Sequence, residues 1–294
     1  MSHWDDIAEH ITNNTGTAFE IKNQNSISGG CISSAFSISD GETNYFVKLN
    51  QHNKADMFKA EFQGLNALYK SHTIHVPQPI CTGIADDQCY LVLEFLEMGS
   101  AKPDSHSKLG QQLSALHKTT HSQFGFNINN TIGSVPQIND YSNDWIDFWK
   151  NQRLGFQLDY ASKTGNSGRL IDRGHQLCDA VDQFFSNYSP DASLLHGDLW
   201  SGNYAFLKNG EPVIFDPATY YGDRETDIAM TELFGGFSPE FYAEYNNYYP
   251  LDPGYKTRKT LYNLYHILNH MNMFGGGYRS QAEHMIDSLL SEVY

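Results

Sequence analysis

Two short stretches hold the residues whose types and spacing could do chemistry: LLHGDLWSGN at 194–203 and VIFDP at 213–217. Each carries a short apolar run that reads as a strand, and a polar segment lies between them. Three side chains stand out: Asp198, Asn203 and Asp216. An acid, an asparagine five positions on, and a second acid closing the next strand form the set that phosphoryl transfer to a hydroxyl needs. One carboxylate accepts the proton of the attacking hydroxyl. An amide oxygen and the other carboxylate hold Mg²⁺ against nucleotide phosphates. Strand ends keep such groups rigid. Turns rich in Gly, Asp, Ser and Asn are common on any surface. The acid on the following strand lifts this set above that background.

Elements that could position these groups come earlier in the chain. Residues 3–12 read as an amphipathic helix with Trp4, Ile7 and Ile11 on one stripe. Strand-like pieces at 20–28, 35–39 and 43–49 form an antiparallel meander whose first turn is SGGCISS. That turn, 28–34, could cover phosphates with backbone N–H groups and hydroxyls, and the same composition also suits an ordinary hairpin. It lacks both G-x-G-x-x-G and the G-K-[ST] of a Walker loop, and strands on both sides disfavour a site that must open a helix.

Lys48 lies in the strand YFVKL and shares a face with Phe46, opposite Tyr45, Val47 and Leu49. Residues 55–70 read as a helix with Phe58, Phe62, Leu65 and Leu68 as its apolar stripe, and Glu61 falls on that stripe. An acid on a buried stripe needs a cation. A strand lysine paired with a helix glutamate orients the lysine toward α- and β-phosphates. The prolines of VPQPI predict an extended connection at 76–80. CYLVLEFL at 89–96 reads as a buried strand; in a two-lobed kinase backbone groups near Glu94–Leu96 would meet adenine, and any buried strand followed by a turn would read the same way.

Beyond residue 107 the pattern is mostly helical. Leu109, Leu113, Leu116 and His117 make one stripe, with His117 read as structural. A long polar loop is expected over 124–140. Helices are expected over 141–160, 169–188, 226–234, 240–248 and 256–274. His266 and His270 stand at i, i+4 without the Glu of H-E-x-x-H and without a third ligand, so they read as packed or surface histidines. Asp227 could cap the helix that it begins.

The chain of 294 residues is long enough for two lobes, and its 40% hydrophobic content marks it as globular. A net charge of −15 argues against nucleic acid or an anionic membrane as partner, while a local basic spot and Mg²⁺ still allow a nucleotide. No apolar run approaches the roughly 18–20 residues of a membrane span, and the first ten residues lack the basic start and apolar core of a secretory leader. The four scattered cysteines (Cys31, Cys81, Cys89, Cys178) have no zinc spacing and suit reduced thiols in a cytoplasm.

The runs LLHGDLWSGN, FDPATYYGDRETDIAMTELFGGF, IGSVPQ and NLYHILNH resemble the fructosamine kinase (ketosamine-3-kinase) family, an aminoglycoside-phosphotransferase-like branch of the protein-kinase fold. The resemblance covers nearly the whole chain. It implies an α+β, bilobal protein-kinase-like fold. An N-terminal nucleotide-binding lobe (1–96) would carry an antiparallel sheet and one key helix, and a mostly helical catalytic lobe (97–294) would follow. It implies ATP-dependent phosphorylation of the 3-hydroxyl of ketosamines, free or protein-bound, which removes glycation.

Residue by residue, the resemblance implies Asp198 as general base, Asn203 and Asp216 as Mg²⁺ ligands, and Lys48 with Glu61 as the phosphate-orienting pair. Gly29, Gly30, Ser33 and Ser34 become the nucleotide loop, with Glu94 and Leu96 beside the adenine. Trp200 and the region 223–227 become the sugar-facing and structural parts. Cys31 matches a cysteine that family members can use for redox-sensitive linkage between chains, so a monomer or a redox-dependent dimer is expected. From the residues alone, two other readings stay open. One is a kinase of this fold acting on an aminoglycoside or choline. The other is a nucleotide-binding sensor switched by Cys31.

Overall fold

A computed structural model describes residues 3–27 and 33–293. The chain forms two compact units, Met1–Ser105 with Tyr204–Pro217, and His106–Asn203 with Ala218–Tyr294.

The first unit is built on a five-stranded antiparallel sheet of β1 (Asn23–Ile27), β2 (Ser34–Ser39), β3 (Asn44–Gln51), β4 (Pro79–Ala85) and β5 (Gln88–Glu94). The spatial order is β1-β2-β3-β5-β4. Val47 and Leu49, alternate residues of β3, pack into a core with Ile7 and Ile11 of α1 (His3–Thr15). Alternation sends Lys48 to the other face, where α2 (Ala55–Lys70) buries Phe58, Leu65 and Leu68. The α2 bounds match the sequence expectation. Strand β4 does not: the connection expected at 76–80 runs into a strand that starts at Pro79. The sheet tolerates a proline there because it is the first residue of an edge strand, where a missing N–H breaks no ladder. A short hairpin, β10 (Tyr204–Phe206) with β11 (Pro212–Ile214), completes this unit and is tied to it by bridges His75–Val213 and Met98–Leu207.

The second unit is mostly helical. It contains α3 (Ser105–Leu116), α4 (Trp145–Trp149), α5 (Phe156–Lys163), α6 (Arg169–Asp179), α7 (Glu225–Leu233), α8 (Pro239–Tyr248), α9 (Tyr255–Phe274) and α10 (Tyr278–Val293). A small sheet of β12 (Tyr220–Gly222), β9 (Ala192–Leu195) and β6 (Thr120–His121) lies among them. Three expectations are corrected. The stretch 141–160 becomes helical only at Trp145: Asp144 caps α4 by accepting from Asp147 N at 2.7 Å, and the helix runs on into α5 through a π-helical turn, Lys150–Gly155. That turn carries Arg153, which is fully buried against the rings of Phe148 and Tyr220. The loop expected at 124–140 contains a hairpin, β7 (Asn130–Ile132) with β8 (Val135–Gln137), turning at Gly133 with φ +61°. Lastly, the helix expected over 169–188 ends as α6 at Asp179, with a 3₁₀ turn, Val181–Phe185, beyond it. The expected 256–274 helix is α9, which ends at Gly275, also at positive φ, and α10 follows as a further helix with Ala282, Ile286, Leu289 and Leu290 buried.

Candidate active site

In the first unit, Lys48 Nζ lies 2.7 Å from Glu61 Oε1 and 2.6 Å from Asp216 Oδ1. Strand β3 and helix α2 supply the first two residues. Asp216 follows β11 with φ +56°, a left-handed conformation that Asp tolerates better than most residues. Its side chain is 51% exposed, whereas those of Lys48 and Glu61 are 15% and 13% exposed. Burial works against the charge of Lys48, but the two carboxylates outweigh it and hold its pKa above the ordinary value. Burial raises Glu61, and the neighbouring Asp216 charge adds to that rise against the pull of Lys48. One ammonium therefore serves two acids.

In the second unit, β9 delivers the loop His196–Asn203. Gly197 has φ +84°, and a Cβ there would sit 2.7 Å from the carbonyl carbon of Ala218, so only glycine fits the turn. Asn203 Nδ2 donates to the backbone oxygen of Asp198 at 2.8 Å and to its Oδ2 at 3.3 Å. Asn203 N donates to Trp200 O at 3.0 Å, closing the turn between them. Asp198 is partly exposed, Asn203 is buried, and Trp200 is 38% exposed.

Of the two roles open for Asp227, a structural part and a helix cap, the contacts fit the structural one. The cap position of α7 is Arg224, whose side chain makes no cap bond, and Asp223 just before it accepts from Glu225 N through Oδ1 at 2.9 Å. Asp227 sits inside the helix, and its carboxylate accepts His196 N at 2.7 Å and Gly197 N at 2.8 Å. It thus grips the two peptide groups immediately before Asp198. Burial opposes its charge, yet hydrogen bonds from His117 and Gly197 hold its pKa below the ordinary value.

His117, the residue just past α3, is fully buried and meets Asp227 Oδ2 through Nε2 at 3.2 Å and Tyr245 Oη through Nδ1 at 2.8 Å. Burial keeps the imidazole pKa low. A carboxylate only accepts, so Nε2 carries the proton and Nδ1 accepts from the tyrosine hydroxyl. The structural reading of His117 agrees with these contacts. The same helix α7 is fixed below by Asp223, which accepts from Tyr188 Oη at 3.0 Å and Tyr262 Oη at 2.5 Å. Arg258 donates to both oxygens of Glu225, at 2.7 and 3.1 Å.

Of the remaining expected site residues, Ser33 accepts from Asn50 Nδ2 at 3.0 Å, and Ser34 opens β2 opposite Leu49. Glu94 ends β5 and folds back to accept from Gln78 N at 3.1 Å, while Leu96 lies just beyond the strand, partly exposed. Gly29, Gly30 and Cys31 lie outside the described residues. His270 Nδ1 donates to the His266 carbonyl at 2.8 Å, one turn back on α9, and His266 is buried. Among the described residues no cluster of three or more His, Cys, Asp or Glu could hold a metal ion. No described helix is long and apolar enough to cross a membrane.

The fructosamine kinase family matches residues 3–292. A protein of Synechocystis sp. named "Probable ketoamine kinase" is 50% identical over 98% of this chain and 97% of its own. The chloroplastic "Protein-ribulosamine 3-kinase" of Oryza sativa subsp. japonica is 42% identical over 94% of this chain and 81% of its own. The crystal structure of a "Putative fructosamine-3-kinase" from Haemophilus somnus has TM-score 0.88 at 31% identity, covering 98% of this chain and 97% of that one. The aminoglycoside phosphotransferase APH(4)-Ia has TM-score 0.63 at 15% identity, covering 98% of each chain, a likeness of fold alone. A mutant of that enzyme has been crystallised with AMP-PNP and hygromycin B. The α+β fold is therefore protein-kinase-like, and the chain belongs to the fructosamine kinase family.

Proposed function

We propose that this protein is an ATP-dependent kinase that phosphorylates the 3-hydroxyl of ketosamines, fructosamines or ribulosamines, and so acts in protein deglycation. The observation that carries the chemistry is Lys48 held between Glu61 and Asp216, the arrangement that aims a lysine at nucleotide phosphates. The sugar class rests on the relatives named ketoamine kinase and ribulosamine 3-kinase.

In this reading Asp198 accepts the proton of the sugar hydroxyl, and Asp227 keeps its loop in place from behind. Lys48, oriented by Glu61, binds the α- and β-phosphates. Ser33 and Ser34, with Gly29 and Gly30, cover the phosphates. Backbone groups at Glu94 and Leu96 receive the adenine, and Trp200 faces the sugar. Asn203 and Asp216 hold Mg²⁺, and the donor set fits: a carboxylate and a carboxamide oxygen are the hard ligands this ion takes. Bound Mg²⁺ would offset negative charge on the transferring phosphoryl group. Residues 1–96 form the nucleotide-binding part and 97–294 the catalytic part, with the 204–217 hairpin bringing Asp216 to Lys48.

A cytoplasmic setting is supported by Cys81, Cys89 and Cys178, which are free and buried. Free and protein-bound adducts both fit, nucleic acid does not, and the chain is a monomer or a dimer linked through Cys31 under oxidation. The test is the product: after incubation with Mg²⁺-ATP and ribulosyl-lysine or fructosyl-lysine, phosphorus–proton correlation should place the phosphate on O3. Phosphate at another carbon would reject the proposed regiochemistry.

A further inference from the structure

The indole of Trp200 is folded back over the backbone of Gly202. A Cβ on Gly202 would run into Cζ2 and Cη2 of the ring and come within 2.8 Å of Cε2. Gly202 is not among the glycines with positive φ, so its backbone does not itself demand glycine. What demands it is the ring. Trp200 remains 38% exposed, so the ring is held on one side and open on the other. The peptide that carries it is fixed separately, since Trp200 O accepts from Asn203 N and Asn203 Nδ2 reaches Asp198. The ring can therefore swing without the turn coming apart.

We propose that Gly202 sets the affinity and selectivity for the sugar by letting the Trp200 ring lie flat on the loop, a few residues from Asp198. The inference deepens the reading of Trp200 as sugar-facing and rests on it. A ketosamine offers two groups that suit an open indole face: the C–H surface of its carbon chain and a secondary amine that is cationic at neutral pH. Any side chain at 202 lifts the ring and moves that face. Gly202 touches no substrate in this account and is a positioning residue.

The test is a double-mutant cycle of Gly202→Ala and Trp200→Ala, read as KM for ribulosyl-lysine and KM for ATP. Acrylamide quenching of tryptophan fluorescence in a Trp4→Phe background reports the ring itself, because Trp4 is only partly buried whereas Trp145 and Trp149 are buried. Gly202→Ala should raise KM for the ketosamine about three- to tenfold, the scale of one aromatic contact. KM for ATP should stay unchanged and quenching should increase. In the Trp200→Ala background, Gly202→Ala should have no further effect. An equal loss in that background, or unchanged quenching, would overturn the proposal alone. An unchanged ketosamine KM in Trp200→Ala would overturn the sugar-facing reading of Trp200 and the proposal with it.

Discussion

Lys48 Nζ and Asp216 Oδ1 are 2.6 Å apart, so the lysine of β3 is paired with an acid 168 positions further along the chain. The pair exists because hairpin β10–β11 belongs to the first unit and ends beside the sheet. Replacing Lys48 by Met removes the only cation that the described contacts give Glu61, and leaves two acids facing each other. ADP release should fall at least about 100-fold, and stability should fall by about 1–3 kcal/mol, below the figure for a fully buried pair because both groups keep some exposure. Adding Glu61→Gln should recover most of the stability and none of the activity. Thermal unfolding and ADP release on the single and double variants separate the two effects.

Asp227→Asn tests the grip on the His196–Asn203 loop. The amide keeps one oxygen for two peptide N–H donors and turns its own N–H₂ toward the other. A loss of about 2–4 kcal/mol is expected, since a buried donor loses its partner. The drop in kcat should exceed 100-fold, while ATP affinity, measured by calorimetry, should change less than threefold.

Gly197→Ala places a methyl group on the Ala218 carbonyl in a left-handed turn. Neither backbone can give way cheaply. This variant should lose about 2 kcal/mol or more and nearly all turnover, whereas Gly41→Ala, left-handed but in open space, should lose only the strain of its φ. Denaturant midpoints compare the two directly.

The buried histidines set an acid limit. Burial pushes His266 down to about 3 and lowers His117. Both stay neutral when folded, while the unfolded chain takes up protons near pH 6.5. Between those limits the unfolded state binds more protons, so stability is full above pH 6.5 and falls as pH drops. The slope is at most about 1.4 kcal/mol per pH unit for each histidine. His266→Leu should flatten the stability–pH curve between pH 6 and 4, as read by urea midpoints at each pH. An unchanged slope would show that His266 does not titrate as described.

The placement of the candidate-site residues is largely legible because it depends on local pattern. Lys48 was placed on its face by alternation, Glu61 by helical spacing, and Asp198, Asn203 and Asp216 by their positions around two apolar runs. The π-helical turn that buries Arg153 was not legible, since its cause is tertiary: a guanidinium drawn between the rings of Phe148 and Tyr220. The contacts of Asp227 were not legible for a similar reason. An acid in the first turn of a helix looks like a cap, and only the folded chain puts the His196 and Gly197 amides beside it. Two misses did have a signal. Ile-Gly-Ser-Val has the glycine-led two-residue turn of a hairpin. Ala282, Ile286, Leu289 and Leu290 have helical spacing after the glycine stop at 275–277.

The central claim is that this chain phosphorylates ketosamines with Asp198 as the base. The most direct measurement is ADP release from Mg²⁺-ATP with ribulosyl-lysine, fructosyl-lysine, an aminoglycoside and choline, using Asp198→Asn as the control. The account predicts turnover on the ketosamines alone, reduced at least about 1,000-fold in Asp198→Asn with ATP binding retained. Turnover confined to the aminoglycoside or choline, or undiminished activity in Asp198→Asn, would contradict it.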